Sequence, residues 1–169
     1  MTKEQKVDFS KIKTGGTFLT NVVGSEKVFC KELFSDEEKM IYEAMRDFAT
    51  NELLPLSQNE LNKKDEKLIR KLVEQMGELG FLGIDVPEKY GGSEMTKTGM
   101  CILAEGISFC GSPSFCTVWN VQTSIGSLGI IWYGNDEQKK KWLPNLASGK
   151  HIGAWGLTEH NTGSDAGGM

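Results

Sequence analysis

Residues 35–55, SDEEKMIYEAMRDFATNELLP, give the clearest signal of the fold of this chain. Ser35 and Glu38 match a capping box, in which the serine accepts a hydrogen bond from an early helical N–H and the glutamate reaches back. Apolar residues then recur at helical spacing, and we expect Pro55 to end the element. These apolar residues are Met40, Ile41, Ala44, Met45, Phe48 and Ala49. The stretch therefore predicts an amphipathic α-helix that begins near residue 35.

Helical patterns continue on the C-terminal side of this stretch. Apolar residues between 68 and 79 again follow helical spacing, and Gly80 suits a left-handed C-terminal cap. Residues 81–92, FLGIDVPEKYGG, form a connector that is punctuated by proline and glycine. Helical spacing then resumes over residues 95–109. Two more helices are therefore expected, one on each side of the connector.

The last third of the chain changes character. Residues 114–133 predict a largely apolar helix that is interrupted at Gly126 and Gly129. Asn135 is expected to cap a short helix, DEQKKKWLPNLA, whose end Pro144 tightens. From residue 151 the pattern becomes the strand-like HIGAWGLT. We therefore predict a mainly α fold of about five or six helices, followed by the beginning of a β structure.

Composition and charge exclude several classes of function. The 169 residues, 38% hydrophobic and 25% charged, suit one globular domain, or one domain and part of another. A net charge of −4 provides no basic footprint, so no nucleic acid partner is expected. Four cysteines and two histidines lack the spacing of a metal site, so no metal is expected either. Because the N-terminus has no apolar signal region and no run is long enough to span a membrane, a cytoplasmic location is expected.

The most informative stretch for function is residues 153–168, GAWGLTEHNTGSDAGG. Its small residues let a ligand approach the backbone closely, because glycine adds no Cβ. Hydroxyls and backbone N–H groups supply the donors that a polar ring edge or a phosphate needs. Taken by itself, however, the stretch also fits an ordinary glycine-rich turn.

The sequence of this stretch resembles the segment of acyl-CoA dehydrogenases that leads from the helical domain into the middle β-domain. Two departures stand out: His160 replaces the usual proline, and Thr162 replaces a smaller residue. Residues 81–92 and 121–150 are similar to family segments in the same order, and GGTFL with VFCKELFSDEEKMI resembles the long-chain and very-long-chain branch. The matching tail residues are Trp155, Leu157, Thr158, Glu159, Gly163, Ser164 and Asp165.

The resemblance implies a domain organisation. Residues 1–34 would be an extended leader, residues 35–150 the all-α N-terminal domain of the family, and residues 151–169 the truncated start of the middle β-barrel domain with its first strand. It also implies that the chain is an N-terminal fragment that lacks the catalytic base, which the family carries in its C-terminal helices. No catalytic residue is therefore expected in this chain, and the isolated fragment is expected to be inactive.

The implied activity is FAD-dependent α,β-dehydrogenation of acyl-CoA thioesters, as in fatty acid β-oxidation. The cofactor-binding residues would be Trp155, as an aromatic wall, with Leu157, Thr158, Gly163 and Ser164. Ser164 would also touch the acyl-CoA, whereas Glu159 and Asp165 would hold the turn together. The residues alone leave open a core role for Trp155, ordinary β-propensity for Thr158 and a loop cap for Ser164.

The resemblance also implies the substrate tunnel and the partners. Gln122, Gly126 and Gly129 would line the acyl tunnel, with long-chain specificity if the two glycines deepen it; a break between two short helices explains them equally well. An electron-transferring flavoprotein would accept the electrons, and the full-length enzyme would be a homo-oligomer. An acyl-CoA oxidase and a non-catalytic helical interaction module remain as alternatives.

Overall fold

The computed structural model describes residues 31, 34–56, 60–61, 63 and 65–168. By its internal contacts the chain divides into two units, residues 1–35 and 36–169. All helices with described bounds belong to the second unit. The predicted leader, residues 1–34, lies outside the described residues except for Lys31 and Phe34.

The second unit is helical, as the sequence predicts. Its α-helices are α1 (Asp36–Phe48), α2 (Glu66–Glu78), α3 (Lys97–Ile107), α4 (Pro113–Thr123), α5 (Leu128–Tyr133) and α6 (Asp136–Ala147). A π-helical turn, Ala49–Leu53, and a 3-10 turn, Leu54–Leu56, continue α1, and the 3-10 turn Ser108–Cys110 continues α3. The predicted mainly α fold is therefore confirmed.

Local signals placed several helix ends correctly. α1 begins at Asp36, directly after Ser35. Gly80 has φ +77°, and the amide of Phe81 donates to Met76 O at 2.9 Å, which is the left-handed C-terminal cap that the sequence predicts for α2. At α6, Asn135 and Gln138 exchange side-chain to backbone bonds of 2.9 Å in both directions, a complete capping box.

Two local expectations, for Pro55 and for Gly129, need correction. Pro55 does not end α1, because the α-helix stops at Phe48 and helical turns run on through the proline to residue 56. The interruption at Gly126 falls in the turn of residues 124–127, but Gly129 lies inside α5. A glycine lowers helix stability by only about 1 kcal/mol, so it does not break a helix by itself. Pro144 lies inside α6, three positions before its last residue.

The predicted strand at residue 151 and beyond is also absent from the described residues, where residues 152–159 have neither helix nor strand assignment. A strand is completed by hydrogen bonds to a neighbouring strand. In the part of the chain that the structure describes, no second strand is present to pair with it. The strand-like pattern of HIGAWGLT therefore does not give a strand in the described residues.

Two apolar clusters hold the helices together. The main core joins α1, α2, α3, α4 and the connector, and its least exposed side chains include Met45, Leu53, Met76, Ile84, Leu103, Ile107 and Phe115. Trp119 lies in this core and donates its indole N–H to Phe81 O at 2.9 Å. A smaller cluster joins the connector to α6 through Val86, Tyr90, Leu143, Leu146 and Ala147. The connector is thus the element that links the two clusters.

None of the helices that the structure describes is both long enough and apolar enough to cross a bilayer.

Candidate functional site

The segment that carries most of the candidate residues, 153–168, follows α6 and its C-terminal turn. The amide of His151 donates to Asn145 O at 2.9 Å, which turns the chain back along the end of α6. From there the segment, here called the tail, passes the turn between α4 and α5. This course brings the tail next to Gln122, Gly126 and Gly129, so the structure unites the two groups of residues that the resemblance assigned to cofactor and substrate.

Gln122 is almost completely buried, with 1% of its surface exposed. Its Nε2 donates to Leu146 O at 2.8 Å and to His151 O at 2.9 Å. Its Oε1 accepts from the amide of Gly153 at 2.7 Å. Both amide protons are therefore used within the protein, and the side chain joins the end of α4 to the end of α6 and to the start of the tail.

The two glycines of the predicted tunnel differ in their surroundings. A Cβ on Gly126 would lie 2.8 Å from Val121 O and 3.1 Å from the backbone of Gly153. A Cβ on Gly129 would meet only Trp155 Cζ3, at 3.8 Å, which is ordinary van der Waals contact. Gly126 is therefore explained by a close crossing of two backbone segments, whereas a Cβ at Gly129 would fit in contact with the Trp155 ring.

The proposed cofactor residues lie together along the tail. Trp155 is 57% exposed, and a Cβ on the neighbouring Gly156 would meet nothing within 4 Å. The amide of Glu159 donates to Thr162 O at 2.8 Å, which closes a tight turn. This turn brings Gly163 back to Thr158, whose Cγ2 is 3.8 Å from the position of a Cβ on that glycine. Thr158 and Gly163 therefore lie next to each other in this turn, and Trp155 precedes it with an exposed ring.

The remaining tail residues differ in exposure. Leu157 is half-buried and Ser164 is exposed next to Gly163. The Asp165 carboxylate lies against the 3-10 turn Ala166–Gly168, where a Cβ on Gly168 would clash with Asp165 Oδ2. This position agrees with a role for Asp165 in holding the turn. His160 is exposed to solvent.

A cleft of about 430 Å³ lies beside the point where Gly126 and Gly153 cross. Ile130, Trp142 and Ile152 form apolar walls, and Arg70 and Lys150 add positive charge. Arg70 Nη1 donates to Lys150 O at 3.3 Å, so the two cationic residues lie close together. Sequence analysis missed both, because they are 80 positions apart and neither belongs to a recognisable motif. The described residues contain no cluster of three or more potential metal-ligating side chains.

Comparison with known proteins decides the family. The family model described as "Acyl-CoA dehydrogenase, N-terminal domain" matches residues 35–150, well over half of the chain. The chain belongs to the acyl-CoA dehydrogenase family. The resemblance found in the sequence is therefore confirmed at the level of the family.

Individual relatives support the same assignment. A probable acyl-CoA dehydrogenase of Bacillus subtilis (strain 168) is 41% identical over 155 residues, which are 92% of this chain and 26% of that protein. A crystal structure of acyl-CoA dehydrogenase complexed with FAD from Bacillus anthracis is 42% identical with a TM-score of 0.78, over 92% of this chain and 26% of that one. Glutaryl-CoA dehydrogenase from Mycobacterium smegmatis is 33% identical with a TM-score of 0.72, over 82% of this chain and 35% of that one.

The chain spans about a quarter to a third of the length of these relatives. Their names indicate more than one acyl substrate. The long-chain branch suggested by the leader is therefore not established by the comparisons.

Proposed function

We propose that this chain forms the N-terminal helical domain and one wall of the flavin site of an FAD-dependent enzyme that introduces an α,β double bond into acyl-CoA thioesters. The observation that carries the proposal is the turn of the tail that brings Gly163 to Thr158, with the exposed Trp155 three positions before that threonine. The FAD-complexed relative from Bacillus anthracis supports the choice of cofactor.

The residues of the tail fit a flat, polar-edged ring system. Trp155 offers an exposed aromatic face, and the absence of any atom within 4 Å of a Cβ on Gly156 leaves the space beside it open. Aromatic rings prefer offset or edge contacts with other π systems, worth about 0.5–1.5 kcal/mol beyond the area that they bury. Leu157 and Thr158 would present backbone groups and a hydroxyl to the ring edge, and Ser164 would reach both the ring and the acyl-CoA.

When bound, FAD would take the β-hydrogen of the substrate as hydride, which is chemistry that the protein itself cannot supply. The part of this chain is to hold the ring and the thioester in register and to exclude water from one side. None of the carboxylates of the tail is placed as a base. We assign the base, the remaining wall of the site and the main oligomer contacts to parts of the enzyme beyond the helical domain, and an electron-transferring flavoprotein to the role of electron acceptor.

A long acyl chain is the substrate that Gly129 favours. Gly129 adds no side chain beside the Trp155 ring, and it borders a cavity of about 270 Å³ together with Ile130 and Trp142. Gly126 does not support this specificity, because backbone contacts alone require it. Replacement of Gly129 by leucine should therefore lower activity on long acyl chains more than on short ones. Equal loss on both would contradict the tunnel role of Gly129.

The domain boundaries follow the same proposal. We place the all-α domain at residues 35–150 and the start of the middle β-domain at residues 151–169, with residues 1–34 as a leader. The isolated 169-residue chain should then bind FAD weakly or not at all and show no turnover, because only one wall of the site is present. Tight yellow flavin that copurifies with the isolated chain would contradict this division.

A chimera tests the function directly. In it, these 169 residues replace the matching N-terminal segment of the Bacillus subtilis relative. The chimera should be yellow, and its flavin absorbance should bleach when an acyl-CoA is added. A chimera that shows the helical circular dichroism and cooperative unfolding of the parent protein, but holds no flavin, would refute the proposal.

Two tryptophan variants of the chimera provide a matched comparison. Trp155 and Trp132 are exposed to similar extents, 57% and 61%, but only Trp155 belongs to the tail. Loss of an aromatic contact of about 1.4 kcal/mol corresponds to about tenfold weaker binding, so W155A should weaken FAD binding by about that factor. W132A should leave FAD binding unchanged. Equal effects of the two variants on FAD binding would contradict the proposed contact between Trp155 and the flavin.

A further inference from the structure

The Gln122 amide links three separate parts of the chain and is not aimed at open space. We propose that Gln122 is a positioning residue, which sets the place and direction of the tail and thereby the place of Trp155 and Thr158 in the flavin site. The inference rests on the proposed function, because it assumes that the tail binds FAD. Under this inference Gln122 does not contact the acyl chain itself, but acts on the site by holding the tail.

The argument begins with the bonding capacity of the amide. A glutamine side chain has two N–H donors and one carbonyl oxygen. Both donors of Gln122 are taken, by Leu146 O at 2.8 Å and His151 O at 2.9 Å. The carbonyl oxygen accepts from the amide of Gly153 at 2.7 Å. With 1% of its surface exposed, the side chain has no donor left for a ligand.

The pattern of partners requires an amide of this length. Gln122 donates to two backbone carbonyls and accepts from one backbone N–H, and of these carbonyls Leu146 O also accepts from the amide of Gly149 at 3.3 Å. A carboxylate cannot donate to the carbonyls, and a thioether can neither donate nor accept strongly. Since an unsatisfied buried polar group is unfavourable, these substitutions would release the tail rather than leave it in place.

A second contact supports the same attachment point. Gly126 and Gly153 cross so closely that a Cβ on Gly153 would be 3.0 Å from both Gly126 Cα and Gly126 O. The hydrogen bond from Gly153 to Gln122 is made at this same residue. Trp155 lies two positions after Gly153, so a shift of this attachment point also shifts the Trp155 side chain. Sites for chemistry need such support, because small displacements of the contacting groups lower binding and rate.

The test uses the Gln122→Met variant, with Thr123→Val as the control. Thr123 is the next residue, also 1% exposed, and its hydroxyl donates to Trp119 O at 3.0 Å and to Asn120 O at 3.3 Å, both within α4. In this chain, Q122M should raise the hydrogen-exchange rate of the Gly153 amide by about tenfold or more, the ratio expected when a buried hydrogen bond is lost. T123V should leave that rate within about twofold of the wild type.

In the chimera with the Bacillus subtilis relative, Q122M should weaken FAD binding by about tenfold and shift the visible absorbance band of the flavin. T123V should keep both the affinity and the spectrum, even where it lowers the melting temperature. If Q122M does not fold, Q122E is measured for FAD binding and the flavin spectrum alone, because its carboxylate still accepts from the Gly153 amide and only the two donors are lost. Normal FAD binding by folded Q122E would then overturn the inference.

Normal Gly153 exchange and normal FAD binding in the folded Gln122 variant would overturn the inference. So would T123V loosening the tail and the flavin as much as Q122M does, because that outcome would show general destabilisation. A wild-type chimera that is folded but holds no flavin would instead refute the proposed function. In that case the exchange rate of the Gly153 amide would still decide whether Gln122 holds the tail.

Discussion

Alanine substitutions at Gly126 and Gly129 separate a packing role from a cavity role for two glycines that the sequence cannot tell apart. Both residues have negative φ, so alanine stabilises each by about 0.4–1 kcal/mol through the unfolded state. Only at Gly126 does the new Cβ meet backbone atoms, Val121 O at 2.8 Å and Gly153 at 3.1 Å. Overpacking of this kind destabilises by about 1–3 kcal/mol.

The unfolded-state gain is shared, so it cancels when the two variants are compared. The free energies of unfolding should then differ by the overpacking contribution alone, about 1–3 kcal/mol, with G129A the more stable variant. For a chain of this size that difference corresponds to about 2–12 °C in melting temperature. G129A should also be at least as stable as the wild type, because its Cβ is 3.8 Å from Trp155 Cζ3.

The measurement is urea unfolding of the 169-residue chain, followed by circular dichroism at the helical band, with thermal melts in parallel. An unchanged m-value shows that the comparison concerns stability and not a change in the unfolded state. Equal stability of the two variants, or a markedly less stable G129A, would show that the backbone crossing at Gly126 does not set the requirement for glycine.

Three further predictions follow from other parts of the structure. Trp119→Phe leaves Phe81 O without its 2.9 Å indole donor in the core, so unfolding should become easier by about 1–3 kcal/mol in urea; an unchanged midpoint would contradict the role of this bond. The pKa of Cys116 is raised from its ordinary value near 9 to about 12 by burial, by the hydrogen bond with Cys110 and by the charge interaction with Cys110. Because the thiolate is the reactive form, iodoacetamide should label the exposed Cys101 before Cys116, and Cys116 only on unfolding. Because the folded pKa is the higher one, this thiol contributes stability below about pH 9 that is lost as the pH rises toward 12, and equal labelling of the two cysteines would refute the shift. Finally, three large aromatic side chains are exposed: Trp132 (61%), Tyr133 (86%) and Trp155 (57%). The isolated chain should therefore self-associate, and a monomer at all concentrations in light scattering would count against this.

Helix ends were predicted where the signal lies within one turn of the chain. Asn135 with Gln138 and Gly80 after α2 act through hydrogen bonds between residues three to five positions apart, so their chemistry is visible in the sequence. The prediction that Pro55 ends α1 was wrong, because the α-helix ends at Phe48 and the chain passes the proline in a 3-10 turn. The strand after residue 151 misled because a strand pattern needs a partner strand, which the described residues do not contain.

The sequence predicts which residues form the candidate site but not how they are supported. The tail motif predicts Trp155, Thr158, Gly163 and Ser164 as cofactor residues, because the resemblance depends on residue types and their order, and this assignment stays a prediction. The partners of Gln122 lie 24, 29 and 31 positions away, and no sequence pattern joins them. For the same reason, the sequence could not show that Gly126 faces a backbone while Gly129 faces the Trp155 ring with room for a Cβ.

By itself, the sequence determined the helical class, most helix starts and the family, since these depend on periodicity, caps and motif order within short windows. Tertiary structure alone decided which side chains face one another: the Gln122 amide bound between α4, α6 and the tail, and the contact of Gly126 with Gly153. The physical reason is that such contacts form only when segments distant in sequence pack to near-crystalline density, and there the fit of single atoms decides what each position tolerates.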